Sequence, residues 1–353
     1  MKVAVGLSGG VDSSVTACLL KEQGYDVVGV TMLIWENSTC CSGEAIKDAR
    51  KVAEYLGIKH YVYDLIPEFT KEIVDNFVSS YQNGKTPNPC PTCNSKMKFD
   101  YLWNAIKEKH PDVEKIATGH YARVIFDKNT NRYQILKGID SKKDQSYMLF
   151  KLNKDQVSRM MLPLGNYKKT ETRELAKKFN LEHVANKPDS MDLCFTSGNL
   201  KEFLRSRIKE KILSGDIIDT KGRKLGTHDG IINYTVGQRK GINVGSQEKL
   251  YVLSIDPLTN TIVVGNKDET YSPGLIAENL NWVSIDEPKN PIYAEVKTRY
   301  LSNPEPAEII PIGNKTAKII FKEKQSSIAP GQEAVFYSGD ILLGGGTICK
   351  VIN

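Results

Sequence analysis

The residues with the clearest chemical use lie near the start of the chain, at positions 8–14, which read Ser-Gly-Gly-Val-Asp-Ser-Ser. An apolar run at 3–7 predicts a buried strand before them, and a helical pattern begins at Ser13 and ends near Gly24. Backbone N–H groups at such a turn, in front of a helix N-terminus, form an anion site that suits phosphate. The glycines let the backbone approach the anion closely, the serines add hydroxyl donors, and Asp12 could hold a metal ion on the phosphates. We call residues 8–14 the phosphate turn.

The spacing of the phosphate turn excludes the two commonest nucleotide signatures. No lysine follows the glycines, as a Walker A loop requires, and Gly6, Gly9 and Gly10 do not have the G-x-G-x-x-G spacing. The spacing alone is also compatible with a strand–turn–helix corner that only needs small residues.

A C-x-x-C pair is the second group with chemical potential. Cys90 and Cys93 lie in a proline-rich stretch at 85–94 that predicts a rigid loop. The pair is compatible with a redox couple, half of a zinc site, or iron–sulfur ligation. The helical pattern restarts only near Phe99, which argues against a thioredoxin-like pair that opens a helix.

The other five cysteines have different expected roles. Cys40 and Cys41 are adjacent, a poor geometry for completing a four-cysteine zinc site with the C-x-x-C pair. Cys194 follows an acidic segment and is the third thiol of interest, whereas the sequence favours core positions for Cys18 and Cys349.

The elements that must position these residues alternate strand and helix over the first 120 positions. This order predicts an α/β domain with a parallel sheet, in which ligands bind beyond the carboxyl ends of the strands. Two further segments, at 121–126 and 132–136, predict a β-hairpin near that end. The predicted strands after the first are 27–33, 58–63 and 116–118, and the predicted helices are 45–56 and 68–81.

The second half of the chain has a different pattern. Residues 151–180 are helical and basic, and 214–245 are polar and rich in glycine. From position 281 short strands alternate with Pro, Gly and Asn, which predicts a small antiparallel β-barrel. Three glycines at 344–346 precede a strand rather than a helix, so we expect a turn there rather than a phosphate loop.

Composition and charge restrict the class of protein. The 353 residues are 40% hydrophobic and 25% charged, which is ordinary for a globular protein of two or three domains. No apolar stretch approaches the roughly 18 residues of a membrane span, and the chain begins at once with a strand, so we expect a cytoplasmic protein with no signal peptide and with reduced thiols. Residues 141–240 contain 21 Lys and Arg against 12 Asp and Glu, a local charge of +9 within a total of +6. That excess suits a polyanion such as RNA, although solvated basic helices produce the same excess.

Seven motifs in register give the chain a specific resemblance. The phosphate turn alone resembles the pyrophosphate loop of enzymes that adenylate a substrate oxygen, as in GMP synthetase, NAD synthetase, argininosuccinate synthetase and the tRNA thiolases. Together the motifs resemble the bacterial tRNA-specific 2-thiouridylases over nearly the whole chain. Their positions are 8–14, 88–94, 118–123, 143–147, 192–195, 234–241 and 299–300.

The resemblance implies a role for individual residues. Cys93 would be the catalytic cysteine and Cys194 the carrier of sulfur as a persulfide. ATP would contact Gly6, Leu7, Ser8, Gly9, Gly10, Val11, Asp12, Ser13, Met32 and Gly119, the last two near the adenosine. The target base or tRNA would contact Asn88, Pro89, Cys90, His120, Lys143, Asp144, Gln145, Arg299, Tyr300 and Gln332.

The same resemblance implies three domains, two substrates and a sulfur donor. The domains would be a pyrophosphate-loop domain (adenine nucleotide alpha hydrolase-like) at 1–200, a small central basic domain at 201–275 and a C-terminal β-barrel at 276–353 that contacts tRNA. The reaction would be 2-thiolation of the wobble uridine with ATP and Mg²⁺, with sulfur from a cysteine desulfurase or a sulfur relay protein.

One position departs from the family pattern. The family commonly has aspartate three residues before the catalytic cysteine, whereas this chain has Cys90. Cys90, Cys93 and Cys194 together are the ligand set of a [4Fe–4S] cluster with one open iron, so a cluster-based route competes with the persulfide route. The sequence also leaves open a different pyrophosphate-loop ligase, such as an amidotransferase-coupled synthetase, and a non-catalytic RNA-binding or metal-sensing protein.

Overall fold

The part of the chain that the structure describes includes the phosphate turn and the three thiols of interest, Cys90, Cys93 and Cys194. The computed structural model describes residues 1–35, 43–187, 193–196, 198–242, 244–245 and 249–352. Cys40, Cys41 and Asp192 lie outside the described residues.

The described part of the first 200 residues contains seven strands. Five of them form a parallel sheet in the order β3-β2-β1-β4-β7, which confirms the predicted α/β class. The remaining two, β5 and β6, form the predicted antiparallel hairpin. The strands are β1 Lys2–Gly6, β2 Asp26–Leu33, β3 His60–Asp64, β4 Val113–Ala117, β5 Ala122–Asp127, β6 Arg132–Lys137 and β7 Met160–Met161.

Helices connect and flank these strands. Two stretches, at 66–82 and 89–109, are continuous helices whose middle is π-helical, at Thr70–Asp75 and Cys93–Tyr101. We call residues 89–109 the cysteine helix. The α-helical segments are α1 Val11–Glu22, α2 Gly43–Leu56, α3 Ile66–Phe69, α4 Asn76–Gln82, α5 Pro89–Thr92, α6 Leu102–Lys109, α7 Lys154–Ser158, α8 Lys169–Lys178, α9 Glu182–Ala185 and α10 Leu200–Arg207.

The central strand of the parallel sheet is buried, because other elements cover both of its faces. The central strand β1 has Val3, Ala4 and Val5 fully inaccessible to solvent, as expected for a parallel strand covered on both faces. The turn after β1 therefore begins from a rigid, buried element and emerges at the carboxyl end of the sheet, where ligands of such sheets bind.

Two further sheets complete the described chain. A four-stranded sheet has the order β10-β11-β8-β9. Six strands in the order β12-β15-β14-β13-β16-β17 close into a barrel because β12 also pairs with β17, which confirms the predicted barrel. The strands are β8 Gly215–Ile218, β9 Lys224–His228, β10 Tyr251–Asp256, β11 Thr261–Gly265, β12 Tyr271–Trp282, β13 Ile292–Lys297, β14 Glu305–Gly313, β15 Thr316–Ser326, β16 Glu333–Ser338 and β17 Ile341–Ile352.

The hairpin β5–β6 joins the N-terminal domain to the barrel. Leu136 of β6 pairs with Ile341 of β17, so the hairpin extends the sheet of the barrel. Arg123 of β5 forms a salt bridge with Asp340, at 2.6 Å between Nη2 and Oδ2. The barrel is thereby fixed to the chain that follows β4.

The turn expected at 344–346 is wrong: these glycines lie inside β17. An added Cβ at Gly344 would lie 2.2 Å from the carbonyl oxygen of Asn281, and one at Gly345 would lie 2.7 Å from that of Ala334. Glycine is needed here because neighbouring strands approach too closely for a side chain, which is common where a barrel closes.

The rigid loop expected at 85–94 is also partly wrong, because a helix begins at Pro89. Pro89 and Pro91 lie in the first turn, where the missing N–H has no intrahelical partner to lose. The π-helical stretch that follows does not have the 3.6-residue period, so the sequence pattern becomes recognisable only at its end.

Candidate functional site

The phosphate turn has the open N-terminus that an anion site requires. Helix α1 begins at Val11, and its N-cap, Gly10, makes no side-chain hydrogen bond to the helix. The Ser13 hydroxyl accepts from the Ser8 N–H at 3.1 Å and donates to the Gly10 carbonyl at 3.1 Å, which folds the turn over the helix end. The first N–H groups of α1 are therefore not satisfied by a cap and can bind phosphate oxygens.

Gly9 sets the shape of this turn. Its φ is +70°, a left-handed conformation that side chains disfavour, and an added Cβ would lie 2.4 Å from the carbonyl oxygen of Ala45 in α2. Gly10 has the ordinary extended values of −98° and 166°, and an added Cβ would meet only the Ser8 hydroxyl, at 3.6 Å. The two adjacent glycines thus have different structural requirements.

Asp12, which the sequence suggested as a metal ligand, is paired with a lysine in this structure, and its metal-binding role stays a prediction. Its two carboxylate oxygens accept from the Lys169 ammonium at 2.8 and 2.7 Å, and Oδ1 also accepts from the Tyr121 hydroxyl at 2.8 Å. Lys169 is the first residue of α8 and is almost buried. It places a cation beside the phosphate turn, and the sequence contained no motif that identified it.

A second lysine that the sequence did not identify reaches the same turn. The Lys187 ammonium donates to the carbonyl oxygen of Gly9 at 3.3 Å and forms an ion pair with Asp48 of α2. The hydrogen bond from Lys187 is the main cause of a lowered pKa of the Asp48 carboxyl, and burial acts in the opposite direction. No motif in the sequence identified Lys187, which lies a few residues before Cys194.

The remaining residues expected to bind ATP lie at the carboxyl ends of neighbouring strands. Met32 is half-buried near the end of β2, next to Thr31, whose hydroxyl donates to the carbonyl oxygen of Leu7 at 2.6 Å. Gly119 follows β4, and an added Cβ would lie 2.9 Å from the carbonyl carbon of Asp12. The structure brings Met32 and Gly119 to the same edge of the sheet as the phosphate turn.

The cysteine helix is fixed at its start by a side-chain cap. The Asn88 side-chain oxygen accepts from the Cys90 N–H at 3.1 Å. The Asn94 amide donates to the carbonyl oxygen of Met148 at 2.9 Å. Cys90 and Cys93 therefore occupy one helical turn, and Cys93 begins the π-helical stretch.

Side chains from the α7 region satisfy backbone carbonyls of that π-helical stretch. Gln156 donates to the carbonyl oxygens of Ser95 and Phe99, at 2.8 and 3.3 Å, and Arg159 donates to Phe99 at 2.5 Å. π-helical turns are rare and occur often at functional sites, so these bonds hold an uncommon conformation directly after Cys93.

Cys194 is positioned by the aromatic residue that follows it. Phe195 is 2% exposed, and Leu193 and Cys194 pack against the same hydrophobic core. Four aromatic rings have their centroids within 6.3 Å of the Phe195 ring: Trp35, Phe69, Phe77 and Phe203.

The three thiols that could hold a cluster all lie in the described part of the chain. Cys90, Cys93 and Cys194 are half-buried thiols. Among the residues that the structure describes, which include all three, no three His, Cys, Asp or Glu side chains converge where a metal ion could be held. This finding concerns a single metal ion, and the [4Fe–4S] ligand set that the sequence left open stays a prediction.

His120 connects the segment after β4 to the cysteine helix. Its Nε2 accepts from the Lys98 ammonium at 3.4 Å, which leaves Nδ1 as the N–H that donates to the Thr118 hydroxyl at 2.7 Å. Burial, followed by the Lys98 charge, holds the pKa of His120 well below 6.5. The ring is 9% exposed and neutral, and its expected contact with tRNA stays a prediction.

Residues 143–145, expected to contact tRNA, make internal contacts in this structure. Lys143 is half-buried. The Asp144 carboxylate accepts from the Gly138 and Ser146 N–H groups at 3.0 and 3.1 Å. The Gln145 side chain accepts from the Tyr121 N–H at 3.0 Å.

Three further expected tRNA contacts lie where the barrel meets the other domains. Arg299 donates to the carbonyl oxygens of Val236 and Ser327, at 2.9 and 2.8 Å. Gln332 donates to the carbonyl oxygen of Thr86 at 2.8 Å. Burial, followed by the charges of Asp144 and Cys90, raises the pKa of Tyr300 to about 12, so Tyr300 is a neutral phenol near Cys90.

The fold and site define a class of protein: an α/β domain with a phosphate-binding turn and a thiol-bearing helix, attached to a β-barrel. Family models match three successive segments. Residues 1–198 match the tRNA methyl transferase HUP domain, 201–266 the tRNA methyl transferase PRC-barrel domain, and 272–348 the aminomethyltransferase beta-barrel domain.

The chain belongs to the tRNA-specific 2-thiouridylase MnmA family. It is 46% identical over 359 residues to the MnmA of Carboxydothermus hydrogenoformans, with 99% of this chain and 98% of the relative covered. It is 43% identical over 357 residues to the MnmA of Clostridioides difficile, with the same coverage of 99% and 98%.

Similarity to solved structures is much weaker. The U34-tRNA thiolase NcsA from Methanococcus maripaludis, solved with its [4Fe-4S] cluster, is 21% identical, with a TM-score of 0.35 and coverage of 59% of this chain and 66% of that one. A similarity this low supports no argument about the present site. Within the described ranges, no helix is long and apolar enough to cross a membrane.

Proposed function

We propose that this protein transfers sulfur to C2 of the wobble uridine of tRNA and consumes ATP in doing so. Family membership supports the reaction class, since the relatives are tRNA-specific 2-thiouridylases. The geometry supports a division of labour in which the phosphate turn binds the triphosphate and the cysteine helix handles sulfur.

One observation carries this proposal. The connection after β4 contacts both halves of the site: Gly119 lies against Asp12 of the phosphate turn, and His120 accepts from Lys98 of the cysteine helix at 3.4 Å. The nucleotide that activates the uridine oxygen and the helix that carries the resolving cysteine, Cys93, would therefore lie on either side of one connection.

The proposed steps balance atoms and electrons. The uridine C2 oxygen attacks the α-phosphate of ATP and pyrophosphate leaves, which converts a poor leaving group into a good one. The terminal sulfur of a Cys194 persulfide attacks C2, and AMP departs with the former C2 oxygen. The Cys93 thiolate then attacks the Cys194 sulfur, which releases 2-thiouridine and forms a Cys93–Cys194 disulfide that an external dithiol reduces.

The residues of this chain would bind and orient the substrates. Lys169 and Lys187 place two cations at the phosphate turn. Because Asp12 is held by Lys169, we propose that Mg²⁺ enters with the ATP phosphates rather than on a carboxylate of the protein. Magnesium would supply charge neutralisation for the departing pyrophosphate.

The remaining assignments are proposed with the same reaction. We propose the domain limits 1–200, 201–275 and 276–353, and tRNA contacts on the residues named above for that role. The sulfur donor would be a cysteine desulfurase or a sulfur relay protein. The cytoplasmic location stays a prediction.

Mass spectrometry of tRNA nucleosides tests the proposal. After incubation with tRNA, ATP, Mg²⁺ and a persulfide donor, we expect a wobble uridine in which one oxygen is replaced by sulfur. C93S and C194S should each abolish the product, because a hydroxyl neither carries nor resolves a persulfide.

A matched control is C349S. The Cys349 thiol donates to the carbonyl oxygen of Ile276 at 3.3 Å within the barrel, a bond that serine can also make. C349S should thiolate at the wild-type rate. Wild-type activity in both C93S and C194S would refute thiolation through these cysteines and favour a different pyrophosphate-loop ligase.

A further inference from the structure

Lys151 lies where the barrel meets the cysteine helix. Its ammonium donates to Glu333 Oε1 at 2.7 Å and to the Thr92 hydroxyl at 3.2 Å. Glu333 is the first residue of β16, and Thr92 lies between Cys90 and Cys93. A single ammonium therefore connects the barrel to the turn that carries both thiols.

The position of this ammonium is set by the barrel. The Glu333 side chain is 3% exposed. Its Oε2 accepts from the Thr347 hydroxyl at 2.9 Å, and its carbonyl oxygen accepts from the Tyr147 hydroxyl at 2.8 Å. A buried carboxylate without a cationic partner is strongly destabilising, so Glu333 holds Lys151 in place.

The barrel also holds the chain before the thiols. The Thr86 N–H donates to the carbonyl oxygen of Pro330 at 2.8 Å, and Gln332 donates to the Thr86 carbonyl oxygen at 2.8 Å. These contacts fall two residues before Asn88, the N-cap of the cysteine helix. The turn at 88–92 is thus attached to the barrel at both ends, through Thr86 and through Thr92.

We propose that Lys151 is a positioning residue for the thiols: acting through Thr92, it fixes the turn at 88–92 against the barrel. A polyanion bound on the barrel would then have a defined place relative to Cys90 and Cys93. This role rests on the proposed function, in which an RNA base must reach the thiols.

Thr92→Val is the sharpest test, because valine keeps the shape of threonine and removes only the hydroxyl. We expect single-turnover thiolation to slow about tenfold, the cost of one hydrogen bond to a charged group. The dissociation constant of ATP should not change, and the urea midpoint of unfolding should fall less than in K151M, because Lys151 keeps its ion pair with Glu333. Thr92→Ser should restore the rate. Thr130→Val, on the exposed hairpin, is the matched control and should behave as wild type.

Variants at Lys151 separate positioning from stability. K151M leaves Glu333 buried without its cation and should lower the urea midpoint, whereas K151M with E333Q should recover the midpoint. The double variant should still thiolate about tenfold more slowly, because Thr92 has lost its donor. Recovery of both the rate and the midpoint would overturn the proposal, as would a wild-type rate in Thr92→Val.

Cysteine alkylation provides a readout that does not depend on thiolation. Measured by peptide mass spectrometry at one pH, alkylation of Cys90 and Cys93 should be faster in K151M with E333Q than in wild type, because the turn at 88–92 is no longer held through Thr92. Alkylation of Cys349 should not change. Unchanged alkylation rates of Cys90 and Cys93 would overturn the role of Lys151. Absence of thiolation by the wild-type protein would instead overturn the proposed function.

Discussion

Gly9→Ala should damage the phosphate turn, whereas the same change at the adjacent Gly10 should not destabilise the protein. At Gly9 the left-handed φ of +70° costs a residue with a Cβ about 1–2 kcal/mol. The Cβ would also lie 2.4 Å from the backbone oxygen of Ala45, and overpacking of this kind costs about 1–3 kcal/mol. The free energy of unfolding should therefore fall by about 2–5 kcal/mol in G9A.

Gly10→Ala should change stability much less. Its backbone is extended and an added Cβ would make an ordinary contact of 3.6 Å, so the gain of about 0.4–1 kcal/mol through the unfolded chain is offset by the low preference for alanine at an N-cap. Urea unfolding of both variants measures the contrast. Isothermal titration with ATP should show affinity reduced at least about tenfold in G9A, because the N–H groups are displaced.

Two results would contradict this reasoning. The first is a G9A protein with wild-type stability and wild-type affinity for ATP, which would show that the turn relaxes without cost. The second is equal destabilisation by G9A and G10A, which would show that the conformation of Gly9 is not the cause.

Two further predictions concern Phe195 and His120. F195A removes a ring that is 2% exposed, and a large-to-small change of this kind lowers the free energy of unfolding by about 3–5 kcal/mol. Because Cys194 loses the neighbour that positions it, we expect faster alkylation of Cys194 and slower thiolation. F126A, at a ring that is 47% exposed, is the control, and unchanged alkylation in F195A would refute the anchoring role. His120 has a folded-state pKa held well below 6.5 by burial, so below about pH 6.5 the unfolded chain binds a proton that the folded protein does not. Stability should fall as pH drops through that value, and H120N should flatten the decline by up to about 1.4 kcal/mol per pH unit; an unchanged slope in urea unfolding across pH would contradict it.

The features that could be predicted from the sequence are those determined locally. The phosphate turn was recognisable because a strand, two glycines and a helix start are contiguous, and the structure has α1 begin at Val11. The family prediction, made from motifs in register, is confirmed by the curated relatives. The alternation of strands and helices likewise predicted the parallel sheet, with boundaries displaced by a few residues.

The features that the sequence did not reveal depend on contacts between distant segments. Lys169 meets Asp12 across 157 positions, and no local pattern specifies such a pair. The helix at Pro89 was missed because its π-helical continuation lacks the usual period. The glycines at 344–346 are explained only by strands that approach them from elsewhere in the barrel.

The fate of the uridine C2 oxygen tests the central claim most directly. The tRNA would carry ¹⁸O at C2 of its wobble uridine, and the AMP formed during one turnover would be analysed by mass spectrometry. If the nucleotide on the phosphate turn activates that oxygen and the sulfur of the Cys194 persulfide displaces it, the ¹⁸O must appear in AMP. AMP without ¹⁸O, alongside thiolated tRNA, would contradict adenylation of the C2 oxygen.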